Sequence, residues 1–311
     1  MTRVLVLGAQ GFLGRAAWGT LVDAGHQVVA HVRRPLAAPQ AAVLTPWCAA
    51  ELDTASHAEV RELIEHSGAE VVVNCVGATT GSVRELRAAN LTVVEHVTGV
   101  VARLRGVRYI HLGSAAEYGV GRPGQPVRET DVPHPISEYG ATKLAATALV
   151  MERARTDGFA AVVLRVFNPV GPGAPTTSVA GRAAAELRRA VLAREREIRL
   201  GSLDSWRDYV GVGDVAGAIA VVVNRPLDDG AHVVNVGSGR AQSTRALIAR
   251  LSEIAEFRGS IVESAPSSAR SEGVDWQEAD ITVLQERYGF QPRQTTDDML
   301  RGLWREAPVG V

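Results

Sequence analysis

Short β-branched runs alternate with longer stretches of helical periodicity from the first residues onward. Segments 3–7, 27–32, 71–76, 107–112 and 160–166 are nearly continuous apolar runs of strand length. Between them, 12–24, 60–66, 83–104 and 138–155 carry apolar residues at helical spacing. Strands spaced by helices need right-handed crossovers and therefore pair in parallel, and strands without a polar face must be covered on both sides. The pattern predicts an α/β chain: a doubly wound parallel sheet with helices on its two faces.

After about residue 170 the rhythm loosens. A Pro/Gly-rich stretch at 168–175 leads into an Ala/Arg-rich helical segment at 179–195, followed by short strand-like runs near 198–200, 233–236 and 261–263 and helical runs near 215–223, 244–256 and 282–288. The expected division is a doubly wound body over 1–170 and a smaller mixed α/β lobe over 171–311. Several arginines crowd the Ala/Arg segment, among them Arg188, Arg189, Arg194 and Arg196, and they read as a solvated face.

Composition narrows the function classes. The chain has 311 residues, 46% apolar and 22% charged, with 33 Lys and Arg against 34 Asp and Glu. A net charge of −1 gives no footprint for nucleic acid or an anionic membrane. The two cysteines, Cys48 and Cys75, stand at no metal-ligand spacing and form no disulfide framework, so no metal is expected. Without a signal-like leader or an apolar run of spanning length, the expected location is the cytoplasm.

The chemistry begins at Gly8, Gly11 and Gly14, three apart in GAQGFLG, directly after the first strand and at the opening of a helix. There the glycine backbone, with Phe12 and Leu13 in the same turn, lets a pyrophosphate approach the helix N-terminus. The second strand ends in Val32, Arg33 and Arg34 rather than in the acidic residue that meets the ribose of NAD. Guanidinium groups suit a 2′-phosphate, so NADP is favoured over NAD. Leu52 and Asp53 are placed at the adenine end, with Asp53 alternatively capping a helix. Asn74 and Cys75 end a strand before Gly77 and border the same ligand, with packing the alternative for Cys75.

Tyr139 and Lys143 stand four apart at a helix start and so share one face, where an ammonium eases ionisation of the phenol. Ser114 follows a strand at the carboxyl edge of the sheet, where such folds place ligands, and Asn90 lies in the intervening helix. His111 reads as an ordinary strand histidine. Trp47, Trp206 and Trp276 either stack a base or fill the smaller lobe.

With these elements in this order, the chain resembles the extended short-chain dehydrogenase/reductase family, in its branch of nucleotide-sugar epimerases, dehydratases and reductases. The likeness rests on GAQGFLG, GSAAEYG at 113–119, YGATK at 139–143, RVFNPVGPG at 165–173 and WRDYVGVGDVA at 206–216. The carboxyl-terminal part is most similar to GDP-mannose 4,6-dehydratases and GDP-4-keto-6-deoxymannose reductases. The resemblance implies a dinucleotide-binding Rossmann body over 1–170 and a lobe over 171–311 that mainly binds the nucleotide-sugar substrate, a triad of Ser114, Tyr139 and Lys143, Asn168 beside the substrate, and Arg207 and Arg270 on the nucleotide phosphates. It also implies a homodimer through the helices at 83–104 and 138–155.

Dehydratases of this branch carry an acid two, sometimes three, residues before the tyrosine of the YG element. Ala116 and Ala115 stand there, with Glu117 one place later, so dehydration is disfavoured. The leading expectation is an NADPH-dependent reductase of a 4-keto group on a nucleotide-linked deoxysugar. The alternatives are an NAD-dependent nucleotide-sugar 4-epimerase, a reductase of a non-nucleotide compound and a non-catalytic dinucleotide-binding regulator.

Overall fold

The computed structural model describes residues 1–35, 46–226, 230–264 and 273–308. Its centre is a seven-stranded parallel sheet built from β1 (Arg3–Leu7), β2 (Gln27–Val32), β3 (Trp47–Ala49), β4 (Val71–Asn74), β5 (Arg108–Ser114), β6 (Ala161–Val166) and β7 (Ala231–Val236), in the spatial order β7-β6-β5-β4-β1-β2-β3. The order reverses at β1 and β4, which places a crevice at the carboxyl ends of those strands.

The strands lack a polar face because both faces are covered. In β1, Val4 and Val6 join the core that includes Ala17 and Leu21 of the helix Phe12–Asp23 and Ile219 of the helix Val212–Asn224. Leu5 and Leu7 turn the other way, into a core with Ile64, Val97, Val101, Ala146 and Val150 from the helices His57–Ser67, Val93–Val101 and Glu138–Asp157. Alternation of side chains along a strand divides one run of apolar residues between two cores.

Two features depart from the expected elements of this body. The segment 83–104 is not one helix: Val83–Arg87 is followed by a π-helical turn at Ala88–Thr92, and α-helix resumes over Val93–Val101. In addition, the helix Val212–Asn224 and β7 return to the large body after the chain has entered the second region, with Ala231 opposite Ala161 and Val236 opposite Val166.

The second region has its own core around Leu187, Ile198, Leu200, Ile248, Leu251 and Leu300. The helix Val179–Ala193 buries Ala180, Ala183, Ala184 and Ala190 there. Its arginines are not simply solvated: Arg189 pairs with Glu186 and Glu195, and Arg188 lies over the Trp304 ring. Three very short strands, Trp206–Asp208, Ala241–Ser243 and Trp276–Gln277, form a small sheet with the first in the middle, antiparallel to the second and parallel to the third. Trp276 fills this lobe and Trp206 is half exposed, whereas Trp47 belongs to the edge of the main sheet.

Candidate functional site

The glycine turn is shaped for a close-fitting ligand. Gly8 has φ +73°, a conformation open to glycine, and its carbonyl accepts the Gly11 N–H at 2.9 Å. A Cβ on Gly14 would lie 2.1 Å from that carbonyl, so the helix packs against the turn only without a side chain there. The helix Phe12–Asp23 starts at Gly11 with no side-chain cap, leaving its first-turn amides available to an anion. This donor set fits the pyrophosphate of a dinucleotide.

Beside the turn, His31 is buried. Its Nδ1 accepts the Gly8 N–H at 3.3 Å and its Nε2 donates to the Ala50 carbonyl at 3.0 Å. Burial pushes its pKa down to about 4, so the ring is neutral at physiological pH and holds the turn as an uncharged clamp.

Two compartments open along the carboxyl edge of the sheet. One of about 200 Å³ is walled by Gly8, Gly11, Arg33, Leu52, Asp53 and Gly77, among others. The larger, of about 410 Å³, shares Gly11, Cys75, Val76 and Gly77 with it and adds Phe12, Leu13, Asn90, Ser114, Tyr139, Lys143, Asn168 and Arg207. Gly14 supports the turn from beneath rather than facing either space. Asp53 is not the helix cap; Ser56 takes that role, accepting the Glu59 N–H. Arg34 parts company with Arg33: its side chain is 81% exposed and pairs with Glu51 at 3.3 Å. Arg270 lies outside the described residues.

At the deeper end, Lys143 is 4% exposed, and its ammonium donates to the Leu112 carbonyl. His111 Nε2 lies 3.4 Å from the same nitrogen, while its Nδ1 faces Asn74 Nδ2 at 3.4 Å. Asn74 is occupied with Tyr109 and with the Val76 N–H, so it supports the site without lining it. Burial pushes Lys143 down to about 8 against the opposing pull of Glu117 and Cys75, and burial beside Lys143 keeps His111 well below the usual imidazole range. Cys75, driven up to about 12 by burial, remains a thiol.

Ser114 ends β5 and caps a 3₁₀ turn, Ala115–Glu117, rather than running on as extended chain. Its Oγ accepts the Ala116 N–H at 3.2 Å, which leaves its own O–H free to donate. Ala115 and Ala116 face the cavity, while Glu117 turns beneath it and is fully buried against Arg165 at 2.8 Å. Among the described residues, the larger cavity has no carboxylate in its wall. Asn90, in the π turn, binds both the N–H and the carbonyl of Ala78 at 2.9 Å and donates to Thr142 Oγ1 at 3.1 Å, tying the loop after β4 to the helix that carries Tyr139. A π turn frees a helix position for such a contact.

The far wall comes from the small sheet. Arg207, 5% exposed, donates to the carbonyls of Trp206 and Val274, and Asn168 donates to the Asp208 carbonyl at 2.9 Å. Gln277, opposite Arg207 in the paired strand, donates to Ala115 O at 2.9 Å and Gly119 O at 3.1 Å, so this wall is bonded to the Ser114 turn.

Sequence reasoning passed over Gln277, His31 and the placement of His111. One plain signal was present at the centre: Lys143 is the single lysine of the chain, among 33 basic residues. No group of metal-ligating side chains occurs, and no helix is long and apolar enough to cross a membrane, among the described residues.

A family model described as NAD dependent epimerase/dehydratase family matches residues 4–237. The chain is 33% identical over 306 residues to a dTDP-6-deoxy-L-talose 4-dehydrogenase (NAD(P)(+)) of Kitasatospora kifunensis, covering 97% of this chain and 94% of that protein. It is 29% identical over 197 residues to a GDP-6-deoxy-D-mannose reductase of Pseudomonas aeruginosa, covering 63% and 64% respectively. Among solved structures, MoeE5 in complex with UDP-glucuronic acid and NAD superposes with a TM-score of 0.81 at 27% identity, covering 96% of each chain.

Proposed function

The chain belongs to the NAD dependent epimerase/dehydratase family, and on that premise we propose that it is an NADPH-dependent reductase of a 4-keto group on a nucleotide-linked deoxysugar, working in reverse as a 4-dehydrogenase. The observation that carries this reading is one cavity bringing Ser114, Tyr139 and Lys143 together with Arg207, in a wall free of carboxylates among the described residues. Dehydration needs an acid at the sugar, and Ala115 and Ala116 stand where it would act. The named reaction of the Kitasatospora relative is redox chemistry at C4 of a deoxysugar nucleotide, which agrees.

When bound, the nicotinamide supplies hydride to the sugar carbon. Ser114, whose oxygen is already held by the Ala116 N–H, donates its hydroxyl proton in a hydrogen bond to the keto oxygen. Tyr139 gives that oxygen its proton. Lys143, fixed by the Leu112 carbonyl, lowers the cost of the phenolate left behind and meets the ribose. Arg207 neutralises the sugar-nucleotide diphosphate from the far wall, with Asn168 beside the sugar. Gly8, Gly11, Phe12, Leu13 and Gly77 hold the cofactor diphosphate and neighbouring groups; Leu52 and Asp53 border the adenine.

Arg33 faces the smaller compartment and suits a 2′-phosphate, whereas Arg34 is committed to Glu51. The competing reading is NAD-dependent 4-epimerisation, which uses the same three side chains; the NAD in the MoeE5 structure favours keeping it in view. The test is cofactor content of the purified protein, then NADPH oxidation with dTDP- and GDP-linked 4-keto-6-deoxyhexoses. Selective NADPH oxidation supports reduction; tightly retained NAD with hexose-nucleotide epimerisation overturns it. The same reading makes the protein a cytoplasmic homodimer, joined through the helices ending at Val101 and Asp157; sedimentation at micromolar concentration tests the dimer.

A further inference from the structure

Beneath the cavity lies a pair of charges that the proposed chemistry does not use. Glu117 is fully buried and Arg165 is 4% exposed. Glu117 Oε2 accepts from Arg165 Nε at 2.8 Å, and its Oε1 accepts the Ser114 N–H, also at 2.8 Å. Arg165 is in turn spread over the Tyr118 ring, its guanidinium carbon 4.5 Å from the centroid. Gly113 makes room for this: a Cβ there would lie 2.7 Å from Glu117 Oε1. A buried ion pair is weak evidence for stability, because desolvating two charges offsets most of their attraction. Its position therefore calls for another account.

We infer that Glu117, clamped by Arg165, is a positioning residue that sets the 114–117 turn so that the Ser114 hydroxyl faces the cavity, and places a carboxylate beside the strand end that holds the Lys143 ammonium. The inference rests on the reading of Ser114 and Lys143 given above. The carboxylate holds the first residue of the turn by its N–H, and Ser114 Oγ closes the turn from the other side by accepting the Ala116 N–H. Lys143 is faced by Cys75 from the end of β4, by His111 and the Leu112 carbonyl from β5 and by Tyr139 one turn back on its own helix, while Glu117 holds the Ser114 N–H two residues along the same strand from that carbonyl. Cys75 is a thiol and His111 is neutral, so Glu117 is the anion among them.

A single lysine makes the test direct. Protein labelled with ¹³C at lysine Cε gives one side-chain lysine signal, that of Lys143, whose titration is read without substrate or cofactor. In Glu117→Gln the acceptor for Ser114 is retained and the charge is lost. The Lys143 midpoint is expected to fall by about one pH unit, and kcat for NADPH oxidation with a dTDP-linked 4-keto-6-deoxyhexose by about tenfold or more, with KM within threefold. If leaving Arg165 unpaired prevents folding, Glu117→Gln combined with Arg165→Met removes both charges and is expected to move midpoint and kcat in the same direction. An unchanged midpoint or an unchanged kcat in a folded variant overturns the inference. Absence of turnover in the unaltered protein overturns the functional reading instead, and the lysine titration still decides the role of Glu117.

Discussion

The two walls of the cleft are held together in different ways. On the dinucleotide side, contacts close over short stretches of chain: Gly11 on Gly8, His31 on Gly8 and Ala50, Asn90 on Ala78. On the opposite side, Arg207 and Gln277 meet only because two strands of two or three residues pair across about 70 positions of sequence, and Gln277 then reaches back to Ala115 and Gly119. One wall is secured by contacts between residues near one another along the chain. The other depends on register between distant segments and is free to change with the ligand.

This contrast is sharpest where the walls meet. Tyr139→Phe should lower turnover by about 10³-fold while NADPH affinity stays within about threefold, because the phenolic proton is needed only at the reacting oxygen. Steady-state kinetics with fluorescence titration of the cofactor check it; a parallel loss of NADPH binding would mean that the tyrosine belongs to the cofactor wall. Arg207→Ala should act on the far wall alone, raising KM for the sugar nucleotide by about 30-fold with KM for NADPH unchanged.

On the near wall, Arg33→Ala should raise KM for NADPH by about tenfold and leave NADH untouched, while Arg34→Ala should change either by less than about twofold, since an exposed ion pair contributes little. Equal effects of the two arginines would erase the distinction drawn between them.

The smallest effect at neutral pH concerns His31. Its folded pKa, about 4, lies below the unfolded value of about 6.5, so the unfolded chain binds more protons between those values. Stability from the neutral clamp is fully present above about pH 6.5 and is lost as pH falls towards 4. Urea unfolding across that window should show a shallower decline in His31→Gln than in the unaltered protein.

The same contrast governs what could be read without coordinates. Gly8, Gly11 and Gly14, and Tyr139 with Lys143, announce themselves through spacing, and the cavity brings them together. The β-α alternation through 166 was legible because each run was long enough to display a period. Strands of two or three residues display none, so the small sheet and Gln277 went unread, as did the edge strand Trp47–Ala49. Periodicity across 83–104 concealed the π turn because an extra residue in one turn leaves the apolar stripe nearly intact. Asp53 lost the cap to Ser56 because the capping box needs its glutamate three residues on, at Glu59. Arg34 and Arg33 are equivalent in sequence; their partners separate them.

The late arrival of the strand Ala231–Val236 has a consequence for biosynthesis. Until roughly three quarters of the polypeptide has left the ribosome, the strand Ala161–Val166 presents an open flank, apolar except at Arg165, to its surroundings. Such a flank invites pairing with another nascent chain. A fragment ending near residue 170 should therefore precipitate, whereas one extended through the helix and strand ending at Val236 should stay dispersed; light scattering of the two on refolding would distinguish them.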